Sequence, residues 1–199
     1  MSDLDYATVL SCWFGSLDAL GRADEIHAAR WFASDPEFDA WLRERFAPVH
    51  TAAVSGALAH WLEHPRGLLA YVIVLDQFSR NLFRGTARMF AYDGLALAAA
   101  ERGLGVQQML AFDELMFLYL PFTHAEDAAV QERGVELYRK LVVGARAELM
   151  ESATSGLTFA LRHRDIVCRF GRFPHRNTAL GRVSTRQELE FLAQPNSSF

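Results

Sequence analysis

The sequence predicts an all-α protein. Apolar residues recur at helical spacing in one segment after another between residues 35 and 193. No segment alternates apolar and polar residues between Asn-Gly or Asp-Gly turns, as a β-hairpin does. With 199 residues, of which 51% are hydrophobic, the chain is long enough to bury a core. We expect one domain over residues 1–199, about eight to ten helices in antiparallel pairs, and loose ends at residues 1–3 and 194–199.

Three helices are predicted in the first half of the chain. Each is indicated by a residue that favours a helix start, namely a capping side chain or a first-turn proline, followed by apolar residues at helical spacing. The second and third are followed by glycine, which favours a helix end. These helices are predicted to begin at Asp35-Pro36, Pro65 and Thr86, and the last two to end near Gly85 and Gly103.

The second half predicts four more helices. Thr123 with Glu126, and Thr185 with Glu188, have the spacing of capping boxes, and Gly171 is a natural helix stop. The predicted helices cover residues 113–120, 123 to about 143, 156–170, and 185 to just before Pro195.

Net charge and motif content exclude several classes of function. The net charge of −4 does not suit a protein that coats nucleic acid or an anionic membrane. The chain opens without a signal peptide, and its longest apolar run, residues 68–75, is too short to span a bilayer. Phosphate and dinucleotide loops, serine-hydrolase elbows and zinc motifs are missing from the sequence, and Cys12 and Cys168 have no metal spacing. We therefore expect a soluble cytoplasmic protein with no cofactor and no metal.

Residues 169–177 combine three arginines, a histidine and an asparagine with two phenylalanines. Gly171 and Pro174 break a helix, so the segment is predicted to be a turn. The phenylalanines favour burial, and half-buried arginine needs an anionic partner, which is either an internal acid or a ligand. Residues 156–186 hold seven arginines and one acid, Asp165, so this region attracts anions. The candidate ligand-binding residues here are Arg169, Arg172, His175, Arg176 and Asn177.

A second polar group follows the apolar run of residues 68–75. Asp76, Arg80 and Arg84 fall on one helical stripe, and Gln77 and Asn81 fall on the adjacent one. Because the preceding run is apolar on every face, these side chains are expected to enter the interior or line a cleft. Two interpretations stay open: an internal ion-pair network, and a ligand site that uses Asp76, Arg80 and Asn81.

Two further histidines complete the set of candidates. His124 lies two positions before Glu126, and His163 lies two positions before Asp165, so each pair could be considered as metal ligands. These spacings form no known closed metal site. On a helix, His163 is more often a hydrogen-bonded structural residue than a base. If the protein is an enzyme, the acid–base candidates are His163, His175 and Glu126.

Taken in order along the chain, these motifs resemble a known bacterial family, called domain of unknown function 924, over nearly the whole length. The motifs that carry the resemblance are Trp13-Phe14-Gly15, Trp31-Phe32 with Phe38-Asp39, Leu75-Asp76-Gln77-Phe78-x-Arg80-Asn81, Tyr119-Leu120-Pro121 with His124-x-Glu126-Asp127, His163-Arg164-Asp165, residues 169–177, Leu180-Gly181-Arg182 and Ser184-Thr185. The resemblance implies an all-helical fold similar to tetratricopeptide-repeat proteins, and it implies no established activity. Cys12 replaces an expected aromatic residue, and Ala125 replaces a serine that would place a hydroxyl near His124.

We expect the three polar groups to converge on one pocket that binds a small anion through paired arginine forks. Asp76, Arg80 and Asn81 would form one wall, His124 and Glu126 a second, and residues 169–177 the rim. Two alternatives remain open: a non-catalytic scaffold whose helical groove takes a peptide, and an internal ion-pair network without a ligand. Nucleic acid and membranes are not expected partners, and the sequence indicates no particular oligomeric state.

Overall fold

The computed structural model describes residues 5–195 and residue 197. Within this part of the chain the regular elements are helices, and β-type pairing is limited to one isolated bridge between Leu17 and Ala23. The predicted all-α fold is confirmed. The chain divides into two compact units. Unit 1 contains residues up to 84 and 88–121, and unit 2 contains residues 85–87 and those from 122 onward.

Unit 1 is built around a helix that is buried on all sides. Its α-helices are α1 (Tyr6–Phe14), α2 (Glu25–Ala28), α3 (Pro36–Val54), α4 (Pro65–Ile73), α5 (Ser79–Leu82), α6 (Asp93–Gly103) and α7 (Phe112–His124). A π-helical turn, Val74–Phe78, joins α4 to α5, and short 3-10 turns lie at Ala59–Glu63, Ala87–Met89 and Gln107–Met109. Helices α1 and α6 pack on α4. From Gly67 to Phe78 every residue is buried, as expected for a helix that is apolar on every face.

Aromatic side chains form much of the core of unit 1. The ring of Trp13 packs against Phe78 and Phe117, with ring centres 5.8 and 5.6 Å apart. Phe46 contacts Phe78 at 5.1 Å. Gly103, at the end of α6, permits close packing, because a Cβ there would lie 2.5 Å from a methyl carbon of Leu118.

Unit 2 contains an antiparallel helix pair followed by a short final helix. Its remaining helices are α8 (Ala128–Gly144), α9 (Met150–Phe170) and α10 (Arg186–Leu192), with 3-10 turns at Ala147–Leu149 and Pro174–Arg176. The short connection from α8 to α9 and the 3.2 Å ion pair between Glu132 and Arg164 show that these helices run antiparallel. Gly171 ends α9 in the left-handed conformation, with φ of 69°.

Several helix ends are confirmed. Asp35 caps α3 by accepting from the backbone N–H groups of Glu37 and Phe38. Thr185 and Glu188 form the predicted capping box of α10, and Gly171 is the predicted stop of α9. Each of these features depends on a few neighbouring residues, which explains why sequence alone identified them.

Three predicted helix boundaries are wrong: the start at Thr86, the end before Pro121 and the start at Gly156. Helix α6 begins at Asp93 and not at Thr86. Residues 87–89 form a 3-10 turn, and the Asp93 N–H donates to Phe90 O, three residues back, and not four as in an α-helix. Helix α7 continues three residues beyond Pro121, and burial of the apolar residues on both sides outweighs the one backbone bond that proline removes. Helix α9 begins at Met150, so Gly156 lies in its interior.

The predicted capping box at Thr123 and Glu126 is also wrong. Thr123 is buried at the end of α7, and α8 begins later, with Asp127 as the cap that accepts from the N–H groups of Ala129 and Val130. Gln131 of α8 donates to the carbonyls of Thr123 and Ala125, which fixes the connection between the two helices. Glu126 therefore does not cap this helix.

The loose ends predicted at residues 1–3 lie outside the described residues, as do residues 196, 198 and 199 of the predicted tail. Ser197 is buried, and its hydroxyl donates to Leu192 O at 3.0 Å. Helix α7 crosses from unit 1 into unit 2, and the single domain stays a prediction. Among the described helices, none combines the length and the apolar character needed to cross a membrane.

Candidate functional site

The first candidate group lies on the π-helical turn of unit 1. Asp76 is 1% exposed, and its carboxylate lies 3.3 Å from the guanidinium of Arg80, which is an ion pair of the kind that the first interpretation describes. Arg80 also lies 3.1 Å from the carboxylate of Asp93, and Gln77 donates to Asp76 at 2.6 Å. Burial disfavours the charged form of Arg80, but Asp76 and Asp93 outweigh it and raise the pKa of Arg80. π-helical turns often occur at functional sites, so this buried ion-pair group stays a candidate.

A neighbouring pair in unit 1 engages Asn81. Asp39 of α3 accepts from the amide of Asn81 at 2.8 Å and from Arg84 at 2.6 and 3.0 Å. Burial raises the pKa of Asp39, but the hydrogen bonds from Arg84 and Asn81 lower it by more than burial raises it, so the pKa lies below its usual value. Arg84 therefore pairs with Asp39, although the sequence placed it on the stripe of Asp76. Asp39 and Asp93 were missed by the sequence reasoning.

A buried histidine–serine contact in unit 1 was also missed. His50 Nε2 lies 2.8 Å from the hydroxyl of Ser79, and both residues are buried. The Ser79 hydroxyl donates to Leu75 O at 2.6 Å, so it accepts from His50. Burial, followed by the charge of Arg88, lowers the pKa of His50 to about 4. Ser79 has a structural role and is not a nucleophile, because its hydroxyl proton is donated to a backbone carbonyl and its side chain is buried.

Unit 2 contains a hydrogen-bonded network centred on Glu126. The carboxylate of Glu126 accepts from the Phe173 N–H at 2.8 Å and from two nitrogens of Arg182 at 2.6 and 2.9 Å. Arg182 also donates to Phe173 O and to the side-chain oxygen of Asn177. Asn177 is 1% exposed, and its amide donates to Ser184. The turn at residues 173–177 is thus held by side chains on both sides.

The arginines of residues 169–177 are in three different environments. Arg172 forms a two-pronged ion pair with Glu188, at 2.6 and 2.8 Å, and also donates to Val183 O. Arg169 is exposed, with its guanidinium 4.7 Å from the ring centre of Phe170. Arg176 is 6% exposed, with its guanidinium 4.6 Å from the ring centre of Phe173. The two prongs of Arg172 are thus used within the protein, and its assignment to ligand binding stays a prediction.

His163, His175 and Arg176 lie around the ring of Phe173, and a third histidine, His124, lies beside His163. We call these three histidines and Arg176 the histidine cluster. The rings of His163 and His175 lie 5.4 and 5.6 Å from that of Phe173, and His124 lies 6.2 Å from His163. His163 Nδ1 donates to Phe159 O at 2.9 Å, which leaves Nε2 as the acceptor nitrogen. His163 is 2% exposed, whereas His175 is half-buried.

The electrostatics of the histidine cluster keep its two perturbed histidines neutral. Burial lowers the pKa of His163 to about 2, and the permanent charge of Arg176 acts in the same direction. Burial and then the charge of Arg176 lower the pKa of His175 to about 4. Burial opposes ionisation of Glu126, but the bonds from Arg182 and Phe173 lower its pKa. Glu126 is therefore ionised at neutral pH, and His163 and His175 carry no charge.

The structure thus separates the predicted site residues into two sets. Asp76, Arg80 and Asn81 belong to unit 1, and the other predicted residues belong to unit 2. In unit 2, His124, His163, His175 and Arg176 come together, while Glu126 and Asn177 belong to the network beneath the turn. Among the described residues, no three His, Cys, Asp or Glu side chains are grouped closely enough to hold a metal ion. Convergence of all these residues on one pocket stays a prediction.

Fold and polar groups together define an all-helical protein whose arginines and carboxylates are paired in buried networks. The chain belongs to the family described as bacterial protein of unknown function (DUF924), whose model matches residues 9–196. The predicted family is thereby confirmed.

A solved structure extends the comparison to the whole fold. The chain is similar to a protein of unknown function from Agrobacterium tumefaciens, with 38% sequence identity and a TM-score of 0.80. The similarity covers 94% of this chain and 96% of the other. A search of curated proteins finds no match.

Proposed function

We propose that this protein binds a small anionic ligand at the histidine cluster of unit 2. The observation that carries the proposal is the placement of Arg176, which is 6% exposed and lies beside His175 at the ring of Phe173. A buried arginine keeps its charge at every physiological pH and presents a planar fork that suits carboxylate and phosphate. Half-buried His175 gives the cluster a side that solvent reaches.

The network around Glu126 supports this proposal because it orders the turn at residues 173–177 before a ligand binds. Glu126 fixes the Phe173 N–H, and Arg182 fixes the carbonyl of Phe173 and the side chain of Asn177. His175 and Arg176 lie between these two anchored residues. A site ordered in advance loses less conformational entropy when it binds, which increases affinity.

Proton uptake by His175 is expected to accompany binding. Its pKa is lowered to about 4 by burial and then by Arg176, while Glu126 opposes the shift and His124 and Arg182 add to it. A bound anion offsets these positive charges and raises the pKa of His175, so binding strengthens as pH falls from 7 towards 5. The acid–base roles of His163, His175 and Glu126 stay predictions, and these electrostatics favour His175 among them.

A thermal-shift comparison tests the proposal. Phosphate, sulfate and di- and tricarboxylates are titrated at pH 5.5 and 7.5 into the wild type and the Arg176→Gln variant. An anion that binds only the folded state raises the melting temperature with concentration. We expect this rise in the wild type, more strongly at pH 5.5, and its loss in Arg176→Gln.

Two control variants make the result specific, because the proposed site consists of the histidine cluster and leaves out Arg169 and Arg172, which the sequence placed at the rim. Arg169→Gln removes an exposed arginine of the same segment, and it is expected to keep the full response to anions. Arg172→Ala breaks the pair with Glu188, so we expect it to lower the melting temperature but to keep the anion-induced rise. If no anion stabilises the wild type, or if all three variants respond equally, the anion site is wrong.

The alternative function is a non-catalytic scaffold that binds a peptide in a helical groove. It is favoured by the internal pairing of Arg172 with Glu188 and of Arg182 with Glu126, which makes these polar motifs structural. Under this alternative, Asp76, Arg80 and Asn81 lock helices and bind no ligand. The tetratricopeptide-like packing and the cytoplasmic location stay predictions that accompany either function.

A further inference from the structure

A groove lies between α1 and α3 in unit 1, and the proposed function does not use it. Thr8, Ser11 and Cys12 line it from α1, and Trp41, Arg45 and Phe46 line it from α3. Its volume is about 660 Å³. Sites for small organic ligands have volumes of roughly 300–1,000 Å³. The groove therefore has the size of a small-molecule site.

The apolar part of the groove is aromatic. Phe46 is 2% exposed, whereas the neighbouring indole of Trp41 is 39% exposed. Trp41 stacks on Phe38 with ring centres 5.8 Å apart and planes 16° apart, which fixes its ring plane. Burial raises the pKa of the Cys12 thiol to about 12, so this wall is neutral at physiological pH. A flat apolar ring is the shape that such a groove accommodates.

The polar part of the groove is cationic. The guanidinium of Arg45 lies 5.0 Å from the ring of Trp41, and that of Arg30 lies 5.4 Å from the ring of Phe38. Both charges act on the Cys12 thiol and oppose the rise of its pKa, so their positive potential reaches the groove. Within residues 5–195 and 197, neither arginine forms an ion pair with an acid.

Four other arginines of unit 1 have carboxylate partners, namely Arg22, Arg66, Arg80 and Arg84. Arg45 lines the groove beside the aromatic wall, and Arg30 adds positive potential from outside the lining, so the groove favours a ligand that brings its own carboxylate. Thr8 and Ser11 also line the groove, and a hydroxyl side chain is a neutral hydrogen-bond donor.

We propose that the groove between α1 and α3 binds a small aromatic carboxylate. Its ring lies against Trp41 and Phe46, and its carboxylate accepts hydrogen bonds from Arg45 and from the hydroxyl of Thr8 or Ser11. This site is separate from the histidine cluster, and it requires both features of the ligand. A ring without charge loses the contact with Arg45, and a carboxylate without an aromatic ring loses the stacking on Trp41.

Isothermal titration calorimetry with three matched probes tests the proposal. The probes are 2-naphthoate, 2-naphthylmethanol, which has the same ring without the charge, and cyclohexanecarboxylate, which has the charge without the aromatic ring. We expect 2-naphthoate to bind the wild type and the other two to bind roughly tenfold more weakly, the effect of losing a charge-assisted bond or ring stacking. Equal binding of 2-naphthylmethanol would show that no carboxylate is recognised.

Variants locate the site. Arg45→Gln is expected to weaken 2-naphthoate about five- to tenfold, whereas Arg186→Gln, the same change at an arginine of unit 2 that is 92% exposed, leaves it unchanged. Arg45 is exposed and contacts only a ring, so the variant is expected to fold, and thermal unfolding checks this. Trp41→Leu removes the stacking surface and is expected to weaken 2-naphthoate binding roughly tenfold.

The outcomes separate this site from the anion site of unit 2. Arg176→Gln is expected to bind 2-naphthoate as the wild type does, and Arg45→Gln is expected to keep the melting-temperature response to phosphate. The groove proposal is overturned if 2-naphthoate does not bind the wild type, or if Arg186→Gln weakens it as much as Arg45→Gln.

Discussion

Replacing Asp76 by alanine tests whether the π-turn ion pair stabilises the fold. Asp76 is 1% exposed, and its partner Arg80 has 16% of its side chain exposed. Removing one partner of a buried pair costs about 3–5 kcal/mol, because the other charge stays buried without its counterpart. Arg80 keeps Asp93 at 3.1 Å, which reduces the loss, while Gln77 loses its acceptor. We therefore expect Asp76→Ala to lower the free energy of unfolding by about 2–4 kcal/mol.

Urea unfolding followed by far-ultraviolet circular dichroism measures this change. Asp165→Ala is the matched control, because Asp165 also pairs with an arginine but has 67% of its side chain exposed. Exposed pairs contribute roughly 0–1 kcal/mol, so the control is expected to stay within about 0.5 kcal/mol of the wild type. A double-mutant cycle of Asp76→Asn and Arg80→Gln is expected to give a coupling energy of at least about 1 kcal/mol. A change in Asp76→Ala no larger than in Asp165→Ala would refute the reasoning.

Two further predictions concern pH and backbone conformation. The pKa of His163 is lowered to about 2 in the folded state, so below the unfolded value near 6.5 the unfolded chain binds a proton that the folded chain does not. Through this residue, the free energy of unfolding should fall by about 2 kcal/mol from pH 6.5 to 5. In the His163→Gln variant, the urea midpoint should depend less on pH over that range. If the variant shows the same pH dependence as the wild type, His163 is not a buried neutral histidine. Gly171→Ala should lower the free energy of unfolding by about 1 kcal/mol, because φ is 69° at this residue and an added Cβ meets no neighbouring atom. Gly144→Ala is the control, since an added Cβ is equally uncrowded there, and it should lower the free energy of unfolding less. Equal melting temperatures of the two variants would contradict this expectation.

The parts of the fold that could be predicted from sequence depend on neighbouring residues. The cap at Asp35, the capping box at Thr185 and the helix stop at Gly171 each depend on residues within about four positions. The pair of Asp76 with Arg80 is one helical turn apart and was predicted for the same reason.

The missed parts involve partners that are distant in sequence. Glu126 has the spacing of a capping residue, but its carboxylate bonds to Phe173 and Arg182, which are 47 and 56 positions away. Arg84 leaves the stripe of Asp76 because a π-helical turn intervenes and α5 ends at Leu82. No periodicity in the sequence encodes either rearrangement.

One signal for the missed site residues was present in the sequence. Asp39 falls three positions before Leu42 and seven before Phe46, on the apolar stripe of α3. A carboxylate on the buried face of a helix requires a partner, so the sequence could have predicted a pair for Asp39. It could not have named Asn81 and Arg84 as the partners, because that depends on how α3 packs on α5.

The pKa of His175 in the presence and absence of an anion is the most direct test of the proposed function. Nuclear magnetic resonance follows the ring proton of His175 from pH 3 to 8, with the signal assigned by its disappearance in His175→Gln. Without ligand we expect a pKa of about 4, and with saturating phosphate or carboxylate we expect it to rise by about one unit or more, because a bound anion offsets the charge of Arg176. A pKa of His175 that no anion moves would contradict an anion site at the histidine cluster.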